Sequence, residues 1–433
     1  MKNYSYYNLF RHSVPSIISL SIEPAAGIVD TILIGQYSPL SMSSLAISNS
    51  IVSAFFWMLS FLSTTLMSHT ARSSQSQTDS MSEKLSTSLI IATVFSISLS
   101  CLIVFSTDFL FSLYKVSSQH EHETLLYLYL RLMSLPFALF CSCANGVFRG
   151  LQSFKVQLYL ALILTSTNIL ISSALVVLYD QAVLGCGIGT LVSFIMTAAY
   201  SFHLLYKNHK IHICSPSKKF FQDDFWSLQK DSFNVFLRTS SLVASLWLMT
   251  LAVSRLHPTA LAAHQIQLQV WLFASFIMDG LAVTATALCG QAHKLHDQKT
   301  FTKIAKKFIN MSYFIGFIYG AMCLLSFQPI ASLFTHNTQI HEFLKQPWYL
   351  MASLQCIGAA VYLFDGLLYA QGEFSFMRKR MIEAFFFIYL PSLYLLQNSF
   401  LGIWAAFSGL ILYRFISSKI YFSKILNTHR AGF

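Results

Sequence analysis

Three carboxylates stand where water should be scarce. Asp30 lies in the run Gly27 to Gly35, GIVDTILIG, while Asp279 and Asp365 each precede a glycine inside other long apolar stretches. A charge at mid-bilayer depth costs roughly 2.5 to 3.5 kcal/mol on insertion scales, so acids in such places usually face a protein interior and carry function. The chemistry open to them is reversible protonation. A carboxyl group in a poorly hydrated cavity has its ionised form disfavoured, so it can take up and release a proton near neutral pH. Asp30 is read on this ground as a proton-binding site.

Other site chemistries find little support. The cysteines Cys101, Cys141, Cys143, Cys186, Cys214, Cys289, Cys323 and Cys356 show no metal-ligand spacing, and buried thiols are the expected state. His69, His203, His264 and His293 are scattered and supply no metal cluster or catalytic set. The expectation is therefore no enzyme, no metal and no cofactor.

The elements that must position these acids are membrane helices. Of the 433 residues, 55% are hydrophobic and only 10% charged, against about 25% charged in soluble proteins. About 20 apolar residues cross the hydrocarbon, and that ruler gives segments near 13–35, 43–70, 85–113, 124–148, 156–180 and 183–206, then 233–256, 261–292, 302–335, 346–372, 378–399 and 401–426. The expected fold is an all-α polytopic membrane protein, with twelve transmembrane helices in two pseudo-symmetric six-helix lobes. The lobes are placed at 1–206 and 233–433, with a polar cytoplasmic linker over 207–232. The net charge of +11 does not point to nucleic acid, because the basic residues cluster between apolar segments. Loops after odd-numbered segments hold only Lys115, Arg255 and Lys345, which places both termini in the cytoplasm. Lys2 and Arg11 lead straight into the first segment without a cleavage signature, so that helix is expected to stay.

An internal repeat supports the two halves. Thr31 to Ile51 aligns without a gap on Thr250 to Val270, so that Thr31, Pro39 and Ile47 fall on Thr250, Pro258 and Ile266. Gly146 then falls on Gly366, and Asp30 on Met249. Six helices per half make the repeat parallel, with substrate expected near the midplane.

VPSIISLSIEPAAGIVDTILIG, FRGLQSFK (Phe148 to Lys155), LAAHQIQLQVWLF (Leu261 to Phe273), MDGLAVTATALCGQA (Met278 to Ala292) and FDGLLYAQGE (Phe364 to Glu373) occur in that order. Together they resemble the multidrug and toxic compound extrusion (MATE) family, DinF-like branch, over nearly the whole chain. The resemblance implies a twelve-helix exporter that exchanges small organic, often cationic, compounds for H⁺ or Na⁺. It carries the functional first-helix carboxylate onto Asp30 and a first-helix bend onto Pro15, with Pro24 as a second candidate hinge. Asn168 and Asn49 become cavity candidates, since lipid-facing amides are disfavoured. Phe55, Phe56, Trp57, Trp247 and Trp271 could stack on planar cations.

Two departures alter the expected site. Relatives carry an acid four residues after the fifth-helix asparagine, where this chain has Ser172 after Asn168; where relatives often have an amide seven residues before the first-helix acid, it has Glu23. Seven residues put Glu23 and Asp30 on one helix face about 10 Å apart along the axis, so Glu23 is a candidate second proton or cation contact. Asp279 and Asp365 are read as C-lobe candidates for structural or gating roles, or for a second ion path. The function expected is proton-coupled export from a bacterial-type inner membrane by a monomer. Sodium coupling and flipping of lipid-linked saccharides are the alternatives.

Overall fold

Long apolar runs dictate helices here, because a helix alone satisfies every backbone polar group within one segment when lipid is the solvent. The computed structural model describes residues 4–37, 48, 51–53, 55–73, 78–114, 121–179, 182–217, 220, 222, 224–256, 258–295, 297–334 and 338–431. Within its helices the side chains at 23–37, 113–114, 177–179, 182, 258–259, 261–262, 333–334 and 427–431 lie outside that description. The first half comprises α1 (Tyr6–Tyr37), α2 (Phe61–Arg72), α3 (Thr78–Phe105), the short α4 (Thr107–Tyr114), α5 (Glu121–Gly150), α6 (Phe154–Tyr179) and α7 (Ala182–His209). The second comprises α8 (Phe225–Ser254), α9 (Pro258–Lys294), α10 (Gln298–Leu325), the short α11 (Phe327–Phe334), α12 (Thr338–Gln371), α13 (Phe374–Glu383), a π-helical stretch Ala384–Tyr389, α14 (Leu390–Leu396) and α15 (Phe400–Ala431).

Ten helices among the described residues are long and apolar enough to cross a membrane. With α1 and the run from α13 to α14, they make the twelve crossings of an all-α polytopic membrane protein. α2 is the later part of the span Ile51–Arg72. Where the sequence suggests a linker over 207–232, α7 continues to His209 and α8 already begins at Phe225. Helices outrun their apolar windows because a polar residue can extend a helix into the headgroup layer without leaving backbone groups unbonded.

The halves repeat each other in detail. A Cβ on Gly146 would strike the backbone of Ser63, and one on Gly366 would lie 2.7 Å from the carbonyl oxygen of Ala282, which is the residue one repeat after Ser63. Both helix pairs therefore approach through a missing side chain, the usual device where lipid offers no hydrophobic drive between helices. Thr286 adds a bond across the second contact, its hydroxyl 2.8 Å from Gly366 O. The turns that follow match too. Ser153 N donates to Phe148 O at 2.9 Å and Gln152 N to Arg149 O at 3.1 Å; Glu373 N and Gly372 N make the equivalent bonds to Leu368 O and Tyr369 O at 3.0 and 3.1 Å. This is a Schellman closure, which needs a left-handed residue: Gly372 supplies it at φ 80° and Gln152 at φ 61°.

By contacts the chain forms two compact units, residues 18–232 and residues 233–433 together with 1–17. The unit boundaries therefore cut through α1 and α8, not through the loops.

The second unit buries a core containing Trp271, Trp348, Trp404 and Phe407. Trp271 meets Phe407 edge-on with centroids 5.6 Å apart, and Trp348 Nε1 donates to Cys323 O at 2.8 Å. The beginning of α1 belongs here because Lys307 Nζ donates to Tyr4 O at 2.5 Å, Asn310 to Tyr6 Oη at 3.1 Å, and Gly280 leaves room for Ile17.

Within the first unit, residues 210–217 are laid on α3. Ser82 and Ser86 hydroxyls accept from His212 N at 3.2 Å and Cys214 N at 2.9 Å, and Glu83 accepts from Ser217 N at 2.9 Å. Asp231 at the start of α8 is then held by His69 Nε2 at 3.0 Å.

Candidate functional site

α1 runs as one helix through Pro15 and Pro24 and carries Glu23 and Asp30 along its length. The side chains of Glu23, Pro24 and Asp30 lie outside the described residues, as does Asn49 altogether. Pro15 stands two residues before α1 passes from one compact unit to the other at Ile17. Just beyond, Ser19 Oγ is buried 2.6 Å from the Gln157 amide of α6. With its oxygen toward the guanidinium, Gln157 also accepts from Arg149 Nε at 3.1 Å and Nη2 at 3.2 Å. α1, α5 and α6 are thus tied by a charge-assisted bond, which the sequence did not suggest.

Asn168 and Ser172 lie one turn apart on α6, both buried against α7. Asn168 Nδ2 donates to Thr190 Oγ1 at 3.2 Å, whose own hydroxyl donates to Cys186 O at 2.8 Å. Asn168 Oδ1 and Ser172 Oγ are buried without a partner among the described residues. This apolar helix pair therefore presents an amide oxygen and a hydroxyl that can accept hydrogen bonds, the hydroxyl also donating. Thr190 escapes sequence reading because a threonine in an apolar helix carries no spacing signal.

The second unit answers the question of its acids differently. Asp365 on α12 is paired with Arg238 of α8 and with Arg414 of α15, the latter at 2.5 Å, both through Oδ2. Arg238 also lies over the ring of Tyr369, 5.6 Å from its centroid. Asp279 of α9 is near enough to act electrostatically on Arg238, Tyr362 and Tyr369. Tyr362 Oη is 2.7 Å from Ser275 Oγ. The buried Asp365 and Arg414 thus share a neighbourhood with the partly buried Asp279 and Arg238, and an ion pair inside a membrane helix bundle is what makes either charge tolerable there. Arg238 and Arg414 were the legible signal, since an arginine in an apolar span demands such a partner.

Several side chains are packed instead of open. Trp271 belongs to the core, whereas Trp57 and Trp247 are exposed. His264 is fully buried, its Nε2 3.0 Å from Thr250 Oγ1 and its ring beside Phe400 and Trp404. Among the described residues no group of three His, Cys, Asp or Glu side chains could hold a metal ion.

Membrane-spanning helices, an internal repeat and buried polar groups inside each unit define a polytopic membrane transporter. The sequence pattern of the MatE family matches residues 15–173 and 235–395, and the chain belongs to that family. Protein DETOXIFICATION 42 of Arabidopsis thaliana is 24% identical to it, over 96% of this chain and 90% of that protein. DNA damage-inducible protein F of Escherichia coli is 23% identical, over 87% and 83%, and multidrug resistance protein NorM of Vibrio cholerae 22%, over 90% and 87%. A MOP superfamily transporter from Pyrococcus furiosus shares the fold at a TM-score of 0.85 and 15% identity, over 98% of this chain and 96% of that one. An outward-facing multidrug resistance MATE family transporter also gives 0.85 at 15% identity, over 97% and 96%.

Proposed function

We propose that this protein is a proton-coupled antiporter that exports small organic, often cationic, compounds, with Asp30 as the site where proton and substrate compete. The observation that carries this reading is the pairing of Asp365 with Arg238 and Arg414. A carboxylate already met by two guanidinium groups is a poor site for a coupling ion, because the ion would have to displace a charge-assisted bond in a low dielectric. Among the described residues of the first unit no carboxylate is paired with two arginines, and Asn168 Oδ1 and Ser172 Oγ retain unused hydrogen-bonding capacity. Asp30 lies in the part of α1 that belongs to this unit and within the matched family region. Glu23 on the same helix is the second proton or cation contact.

Proton and substrate must favour different states or exclude each other, since a ligand moves an equilibrium only through differential affinity. On this reading the protein works in a bacterial-type inner membrane as a monomer with both termini cytoplasmic, and it moves its substrate without converting it.

The test is efflux of a fluorescent organic cation from proteoliposomes under an imposed pH gradient. Asp30→Asn should abolish gradient-driven efflux and Glu23→Gln should weaken it or narrow the substrate range. Undiminished efflux in Asp30→Asn would overturn the reading. A sodium gradient that drives efflux where a pH gradient does not would replace the proton by Na⁺.

A further inference from the structure

The outward face of α10 changes chemistry along its length. Lys299, Lys303, Lys306 and Asn310 are exposed, and the same stripe continues at helical spacing through Phe314, Phe317 and Leu324, with Leu325 beside it. The aromatic and aliphatic part is bare, with Phe314 65%, Phe317 66% and Leu325 87% exposed, as befits contact with acyl chains. From Leu325 back toward Lys306 the rise of 1.5 Å per residue covers about 29 Å, the thickness of the hydrocarbon layer. Lys306 thus stands at the acyl boundary and Lys303 one turn beyond it, at the depth of phosphate groups.

The neighbouring surface sits at the same level. Lys307 Nζ lies 5.0 Å from the ring centroid of Tyr6, and Asn310 bonds the Tyr6 hydroxyl, so the start of α1 is fixed beside these lysines. Tyr6, Tyr7 and Phe10 are 48%, 71% and 46% exposed there, a small aromatic belt of the kind that marks the interface. Charge on this face is unbalanced. Asp297 caps α10 by accepting from Thr300 N at 2.9 Å, and those Thr300 bonds hold its carboxyl below the usual range, so it stays ionised beside Lys299. Lys303 and Lys306 make no ion pair among the described residues.

We propose that this face is a binding site for an anionic glycerophospholipid, whose phosphate is held by Lys303 and Lys306 and whose acyl chain lies on Phe314 and Phe317. The lipid is preferred over a free anion because the lysines open directly onto bare apolar helix, which only a ligand with both parts can cover. The inference is independent of which ion drives transport.

The full-length protein in detergent is titrated with phosphatidylglycerol or phosphatidylcholine, and bound lipids are counted by native mass spectrometry. An interfacial lysine contributes about a five-fold gain in anionic-lipid binding, so Lys303→Gln with Lys306→Gln should lower phosphatidylglycerol affinity roughly twenty-five-fold. Phosphatidylcholine binding should not change, and the double Lys→Arg variant should bind as the parent does. Phe314→Ser should weaken phosphatidylglycerol binding but leave the weak competition by glycerol phosphate unaltered. Equal phosphatidylglycerol binding by the double Gln variant would overturn the site. So would an equal loss in Lys379→Gln, which would show only diffuse positive charge.

Discussion

At the scale of single residues, the second unit is dominated by one carboxylate oxygen that serves two guanidinium groups. Arg414 is 4% exposed and Asp365 8%, so neither charge has water to fall back on. Removing one member of such a set typically costs about 3–5 kcal/mol, because a buried charge is left unmet. Arg414→Leu should therefore lower the thermal midpoint of the purified protein sharply, whereas Lys379→Gln at an exposed position should leave it within error. The acid itself was legible in the sequence, as an Asp in an apolar run. Its partners were not assigned, because Arg238 and Arg414 are far from Asp365 in the chain and charges in lipid announce a need for a partner without naming it. Thr190 was less legible still: only the fold brings it within 3.2 Å of Asn168.

At the scale of elements, the twelve helices followed from apolar length alone, and the repeat by itself sets Gly146 on Gly366, the two residues at the close helix contacts. Element ends were the less legible part. Gln152 and Gly372 occupy the same left-handed position in matching turns, and a side chain there costs on the order of 1 kcal/mol that glycine avoids. Gln152→Gly should therefore raise stability by about 1 kcal/mol in reversible unfolding, while Gly372→Gln should lower it by a similar amount. Gly366→Val acts in the opposite sense to cavity formation: its new atoms meet Ala282, 2.7 Å from where a Cβ would stand, and overpacking of this kind costs typically 1–3 kcal/mol. The polar run after α7 read as a linker, yet it is a strap fastened to α3. Nothing in its composition foretold that Ser82 and Ser86 would accept its backbone amides. Ser82→Ala with Ser86→Ala leaves those amides to water at about 0.5–1.5 kcal/mol each, and trypsin should then cut after Lys210 several-fold faster than in the parent.

At the scale of the whole molecule, chain order and packing order disagree at two places. Residues 1–17 precede the first half but pack with the second, and residues 225–232 open the second half but pack with the first. Sequence reading drew the boundary at the polar linker because composition reports solvent, not neighbours. Lys307 on Tyr4 and His69 on Asp231 fasten these two exchanged helix starts in their adopted units. The halves are consequently laced, each holding one end of the other's first helix, and severing the strap should not part them. Protein nicked after Lys210 should run on size exclusion as a single particle and separate into two fragments only once denatured. Fragments that elute apart under native conditions would show the lacing to be too weak to matter.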